Sequence, residues 1–96
     1  MNRGEVWQSD TGALRLIVSP ALYNASELRR VVSCQIGEPP ATFEPYAVPT
    51  RWGTVFVDLI ATTPRTWLSK PVGRIADEEL STVDRYLRFL VGQLSV

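Results

Sequence analysis

The fold that these 96 residues predict is α+β, mostly β: a small twisted antiparallel β-barrel packed by one C-terminal amphipathic helix. Three observations carry it. Up to Gly73 the chain consists of short alternating or apolar runs separated by turn-forming residues, as half-buried strands are. Beyond Gly73 the apolar spacing changes to threes and fours, the period of a helix face. Finally, a chain of this length buries only roughly 60–65% of the surface that its unfolded form exposes, enough for one core and one domain spanning residues 1–96.

Glu5-Val6-Trp7-Gln8 alternates polar and apolar side chains, and Asp10-Thr11-Gly12 supplies hairpin turn chemistry. The partner strand is Leu14 to Val18, where Leu16-Ile17-Val18 is continuous and apolar, and Ser19-Pro20 ends it because proline has no N–H for the ladder. Ala21 to Leu28 reads as a loop or short helical turn. Arg29 to Ile36 is the next strand, broken by Gly37-Glu38-Pro39-Pro40. Phe43 to Val48 suits an edge strand, given Pro45 and Pro49, and Arg51-Trp52-Gly53 makes a turn. Thr54 to Ile60 is the strongest strand signal, and Thr66 to Ser69 reads as a last short strand.

From Asp77 onward Leu80, Val83, Leu87, Leu90 and Leu94 share one helix face. Asp77, Glu78 and Glu79 place negative charge in the first turn, where the helix dipole favours it, and Asp84 precedes Arg88 by one turn. Tyr86 and Phe89 lie on an adjoining sector. So wide an apolar arc exceeds what one small sheet can cover, so Tyr86, Phe89 and Leu90 are expected at a homodimer interface, with an overfilled core as the alternative.

Ten acidic and ten basic residues leave no net charge, so any nucleic-acid site must be a local patch. The hydrophobic share of 45% excludes a disordered chain. No window approaches the roughly 18 apolar residues of a membrane span, and Met1 to Glu5 leads straight into a strand without a signal-peptide core, so a cytoplasmic protein is expected. Cys34 is the single cysteine and lies in register with Val32 and Ile36, a core position. With no histidine, a Ser-His-Asp hydrolase and a histidine-bound zinc enzyme are excluded, and no metal or cofactor is expected.

Arg3-Gly4-Glu5-Val6-Trp7 at the start, Val18-Ser19-Pro20-Ala21-Leu22-Tyr23-Asn24 after the second strand and Gly73-Arg74-Ile75-Ala76-Asp77-Glu78-Glu79-Leu80 before the closing helix occur in the order seen in the MazF/PemK family. The sequence resembles those toxins of type II toxin–antitoxin systems, within the CcdB/MazF superfamily, over nearly its whole length. The resemblance implies an SH3-like, MazF-like barrel, a symmetric dimer, metal-free cleavage of single-stranded RNA and a cognate antitoxin, MazE-like or another small protein, whose tail folds over the cleft. A second reading on the same fold is a non-catalytic member that grips nucleic acid or a protein target, as CcdB-type relatives do with DNA gyrase.

The family's cutting pair is usually an arginine in an Arg-Pro segment before the second strand and a threonine in a Pro-x-Thr segment after the next. Here Ala13 and Leu14 hold the first two positions, and the threonine position falls near Ile36 or Gly37. The loop before the arginine is shortened to Asp10-Thr11-Gly12. Residues two apart on a strand face the same side, so Arg15 offers a guanidinium about 6.6–6.8 Å from the usual place. Cutting RNA this way needs a cation for the phosphorane charge and an acceptor for the 2′-hydroxyl proton. Arg15 is the candidate cation. Glu5, Asp10 and Glu38 are open as the base and Ser33, Gln35 and Thr42 as positioning groups, with Arg15, Gln35 and Glu5 the catalytic set expected here. Arg51, Trp52 and Arg29 are the candidate RNA-binding residues, because arginine beside an aromatic grips unpaired nucleotides, although Trp52 also suits an end-cap of the core. Trp7 and Trp67 are assigned to core packing.

Overall fold

Gly12, with φ of 89° that a side chain rarely tolerates, turns the chain between β1 (Glu5–Ser9) and β2 (Leu14–Ile17). Around that turn the Ser9 amide donates to the Ala13 carbonyl at 2.7 Å and the Gly12 amide to that of Ser9 at 2.9 Å. The computed structural model describes residues 1–39, 42 and 44–94, leaving out the side chains of residues 93 and 94. A one-turn helix α1 (Ala21–Asn24) follows β2. The remaining elements are β3 (Arg30–Gly37), β4 (Ala47–Thr50), β5 (Gly53–Pro64), a 3-10 turn over Arg65–Trp67, β6 (Leu68–Arg74) and α2 (Asp77–Leu94).

The six strands form one antiparallel sheet in the order β4-β5-β3-β2-β1-β6. Its bend is built into the longest strand. Cys34 pairs with Ile60 but the next residue, Gln35, pairs with Phe56, so three residues of β5 bulge out of the ladder and the two halves of the strand point differently. The edges β4 and β6 do not pair with one another among the described residues. Trp52, in the β4–β5 turn, crosses between them: its indole Nε1 donates to the Arg74 carbonyl at 3.2 Å and its ring lies against Gly73. The sheet is therefore twisted and curled rather than closed, with a tryptophan spanning its open seam.

Each strand face has its own core. Val6, Leu16 and Cys34 lie in register across three strands and meet Val48, Val55, Val57 and the helix residue Val83, with Leu80, Leu87 and Leu90 packed around them. That is the face covered by α2, and the helix stripe expected from the spacing is the one that packs; the side chain of Leu94 lies outside the described residues. The opposite face carries a smaller cluster, Ile17, Val31 and Leu68, flanked by Met1 and Trp7. Arg3 fixes the N-terminal segment across the fold, pairing with Asp84 of α2 and donating from Nε to the Val18 carbonyl at 3.0 Å.

Several boundaries differ from the sequence expectation. β5 runs on to Pro64 instead of stopping at Ile60, because Ala61-Thr62-Thr63 pairs with the start of β3. The strand expected over Thr66 to Ser69 is a 3-10 turn followed by β6, which continues through Pro71; that proline is tolerated because β6 is an edge strand with an irregular register beside it. The edge strand expected from Phe43 begins at Ala47, and Phe43 itself lies outside the described residues. Arg29 sits before β3, in the left-handed region with φ of 57°.

Candidate functional site

On the sheet face turned away from α2, Arg15 stands between Trp7 of β1 and Gln35 of β3, its cross-strand neighbours. Ser33 is two residues from Gln35 and so shares that face, and Thr63 reaches it diagonally from β5. The three side chains are joined. Arg15 Nε donates to Ser33 Oγ at 2.6 Å and Nη2 to the Ser33 carbonyl at 3.2 Å. The Ser33 and Thr63 hydroxyls are hydrogen-bonded to each other at 2.8 Å, and Thr63 Oγ1 also lies 3.4 Å from the Ala61 carbonyl. Ser33 is fully buried and Thr63 nearly so, which makes this chain a fixed mount for the guanidinium.

Of the five N–H groups of an arginine, two are used on Ser33, and among the described residues the other three meet no acceptor. Among the described residues no carboxylate pairs with Arg15; the only ion pair there is Arg3 with Asp84. Burial pulls the pKa of Arg15 below its ordinary value while Cys34 acts the other way, and an arginine so perturbed is still a cation. Its partial burial raises its electrostatic reach, since less water screens it.

Arg15 lines a cavity of about 490 Å³ together with Ser9, Asp10, Thr11, Ala13, Thr63, Trp67 and Leu68. The shortened β1–β2 turn forms one wall, and the 3-10 turn forms the other. The Asp10 amide donates to the Trp67 carbonyl at 3.0 Å, and Ser69 Oγ donates to Asp10 Oδ1 at 2.5 Å, so the acid is tied to the far wall and faces the same space as Arg15. A fixed cation, a carboxylate, a buried hydroxyl and an apolar wall can together hold a phosphodiester and accept a proton from a hydroxyl beside it. Among the described residues no group of three or more Cys, Asp or Glu side chains is placed to hold a metal ion.

The residues singled out in the sequence separate in space. Gln35 lies beside Arg15 on the ladder and is exposed, outside the cavity lining. Glu5 is not on the cavity. Its Oε1 accepts from the Asn2 amide at 2.8 Å and the Trp7 indole at 3.1 Å. Burial raises the pKa of Glu5, but those hydrogen bonds, with the amino terminus and Arg74, outweigh it and leave the pKa lowered. Glu38 and Thr42 are exposed between β3 and β4. Arg51 lies over the Trp52 ring, 5.0 Å from its centroid, at the β4–β6 seam, and Arg29 is a turn residue; none of Arg29, Arg51 and Trp52 lines the cavity.

Trp67 corrects its core assignment: it is 60% exposed, while the next residue, Leu68, takes the core position. Alternation along a strand would have placed one of the two inward, but the 3-10 turn resets the period just before Leu68. Thr63 was missed because its strand was expected to end three residues earlier; the β-branched pair Thr62-Thr63 was the available signal.

On α2, Tyr86 packs edge-on against Tyr46 with ring centroids 5.8 Å apart, and Phe89 lies 6.0 Å from the same ring while remaining 52% exposed. Tyr46, Arg85, Tyr86 and Phe89 line a second, shallow apolar hollow, and Leu90 is packed against the main core. Among the described residues no helix is long and apolar enough to cross a membrane.

The model of a family described as "Type II toxin-antitoxin system toxin Rv0299" matches residues 4–90. No curated protein matches the sequence significantly. Among solved structures, an endoribonuclease from Mycobacterial species superposes with a TM-score of 0.83 at 24% identity, covering 96% of this chain and 91% of that one. An endoribonuclease in complex with its cognate antitoxin, also from Mycobacterial species, gives 0.82 at 24% identity, with 96% and 95% covered. The MazE–MazF crystal structure (Form-I) from Deinococcus radiodurans gives 0.85 at 20% identity, with 96% of both chains covered. At these identities the superpositions establish the MazF-like fold.

Proposed function

Because the chain belongs to the family of type II toxin–antitoxin system toxins described as Rv0299, we propose that it is a cytoplasmic endoribonuclease that cuts single-stranded RNA at the Arg15 cavity without a metal. The observation that carries this reading is the state of Arg15: held rigidly by Ser33, unpaired with any carboxylate among the described residues, and lining a cavity opposite Asp10. The scissile phosphate binds to the three remaining guanidinium N–H groups. Asp10 accepts the proton of the 2′-hydroxyl as that oxygen attacks phosphorus, Arg15 stabilises the charge on the phosphorane, and the 5′-oxygen leaves with a proton from water. The products are a 2′,3′-cyclic phosphate and a 5′-hydroxyl end. Of the three acids open in the sequence, Asp10 is preferred to Glu5, which is held by Asn2 and Trp7, and to Glu38, which does not line the cavity.

Two partners belong to the same reading. A cognate antitoxin is supported by the solved neighbours, one in complex with its cognate antitoxin and one a MazE–MazF assembly. A homodimer through Tyr86, Phe89 and Leu90 is supported by the exposed ring of Phe89 and the apolar hollow beside it.

The decisive experiment incubates the purified protein with long single-stranded RNA in excess chelator. Wild type gives fragments bearing cyclic phosphate, and Arg15→Ala slows cleavage by about 10²–10³-fold, the range for removing a preorganised charge-stabilising donor. RNA left whole by wild type overturns the nuclease and leaves a protein that only grips its target.

A further inference from the structure

Trp67 is 60% exposed and stands at the wall of a cavity that also holds the mounted cation Arg15, where an aromatic face is open to whatever that cation binds. The turn that presents it is fixed on both sides: the Trp67 carbonyl accepts from the Asp10 amide at 3.0 Å, and the Arg65 amide donates to the Arg29 carbonyl at 3.0 Å. Leu68 anchors the next position in the smaller core. The indole is thus a flat aromatic face carried on a held backbone and open to solvent. An RNA strand lying with a phosphate at Arg15 carries its neighbouring bases toward the cavity walls, and any unpaired base has a π-face that stacks on such a ring without regard to sequence.

The geometry points to Trp67 as a base-stacking platform: the unpaired base next to the phosphate held by Arg15 lies on its indole. This inference rests on the nuclease reading for the placement of the phosphate, but not on cleavage itself. A platform of this kind takes single strands and refuses duplex, because a paired base cannot leave its stack without cost. Every base can stack there, and purines, whose larger rings cover more of the indole, stack somewhat better. The two wall elements make one subsite: Arg15 fixes where the backbone lies, and Trp67 fixes which way the base turns.

The test uses an uncleavable 2′-O-methyl hexanucleotide carrying 2-aminopurine, whose fluorescence falls on stacking. Wild type is expected to quench the probe, a duplex of the same sequence to leave it bright, and Trp67→Ala to weaken binding by about tenfold or more with quenching lost. Trp67→Phe keeps part of both, and circular dichroism checks that each variant is folded. Trp67→Ala binding and quenching as wild type does overturns the platform; if wild type still cuts RNA in chelator, the nuclease reading survives that loss. Conversely, quenching that depends on Trp67 in a protein that leaves RNA whole keeps the platform and removes the nuclease. A wild type that binds no probe overturns the platform, and its cutting assay then decides the other reading separately.

Discussion

Ser33 Oγ accepts from Arg15 Nε at 2.6 Å, and the Ser33 side chain has no access to solvent. A buried hydroxyl that orients an arginine does so through direction as much as strength, because it fixes which edge of the guanidinium is spent and which is left for a ligand.

Ser33→Ala removes that acceptor and also takes the hydrogen-bond partner of the Thr63 hydroxyl. The variant is expected to lose about 1–3 kcal/mol of stability, the cost of leaving buried polar groups unsatisfied. Its effect on the proposed cleavage should fall on kcat more than on KM, since phosphate still meets the cation but no longer meets it in a fixed orientation. Urea denaturation and initial-rate kinetics measure the two effects. A KM rise with kcat unchanged would show that Ser33 does not position Arg15. Arg15→Lys is expected to rescue little, because an ammonium cannot reproduce a planar fork.

The seam between the sheet edges gives an independent check on the fold. A Cβ at Gly73 would come within 2.1 Å of Cζ2 and 2.6 Å of Cη2 of Trp52, closer than atoms can approach. Gly73→Ala should therefore push the indole off β6, strain its bond to the Arg74 carbonyl and cost about 1–3 kcal/mol. Differential scanning calorimetry reads the loss, and pairing the change with Trp52→Leu should recover part of it. A melting temperature equal to wild type would mean that Trp52 does not span the seam.

Those two contacts also mark how far the sequence could be read. Alternation located β1, continuous apolar or β-branched runs located β2, β3 and the first half of β5, and the three-and-four spacing located the helix stripe, because each signal reports burial against a regular neighbour. The end of β5, the 3-10 turn and most of β6 carry no such signal, with Pro64 and Pro71 lacking the N–H of a regular ladder, and only the pairing with β1 and β3 makes strands of them. The site suffered for the same reason. Arg15 was found because a two-residue spacing keeps a side chain on one face, but its partners Thr63 and Trp67 come from distant segments whose approach no local pattern records.

The outer sector of α2 tests the proposed assembly. Phe89 touches Tyr46 yet keeps half its surface in water, so replacing it removes little core packing. Phe89→Glu should therefore leave the melting temperature within about 1 °C of an equally dilute monomeric wild type, while placing a charge where a second copy would pack. Sedimentation velocity is expected to give a dimer for wild type and a monomer for the variant. Equal masses for both would return this face to plain surface.

Cys34 supplies a pH dependence whose sign can be worked out. Its thiol is fully buried, and burial pushes its pKa from 9.0 up to about 12, with Arg15 drawing it down and Asp58 adding to the rise. Below pH 9 both folded and unfolded chains keep the proton, and the group has no influence on stability. Between pH 9 and about 12 the unfolded chain has lost a proton that the folded chain still holds, so stability falls as pH rises, by at most about 1.4 kcal/mol for each pH unit. Other groups titrate in the same range, so the measurement is a difference: urea midpoints of wild type and Cys34→Ala from about pH 7 to about pH 11. The alanine variant is expected to start lower, because it opens a small cavity, and then to decline less steeply above pH 9. Parallel curves would mean that the thiol ionises in the folded protein as readily as in the unfolded one, and that the Val6, Leu16 and Val57 packing around it admits water.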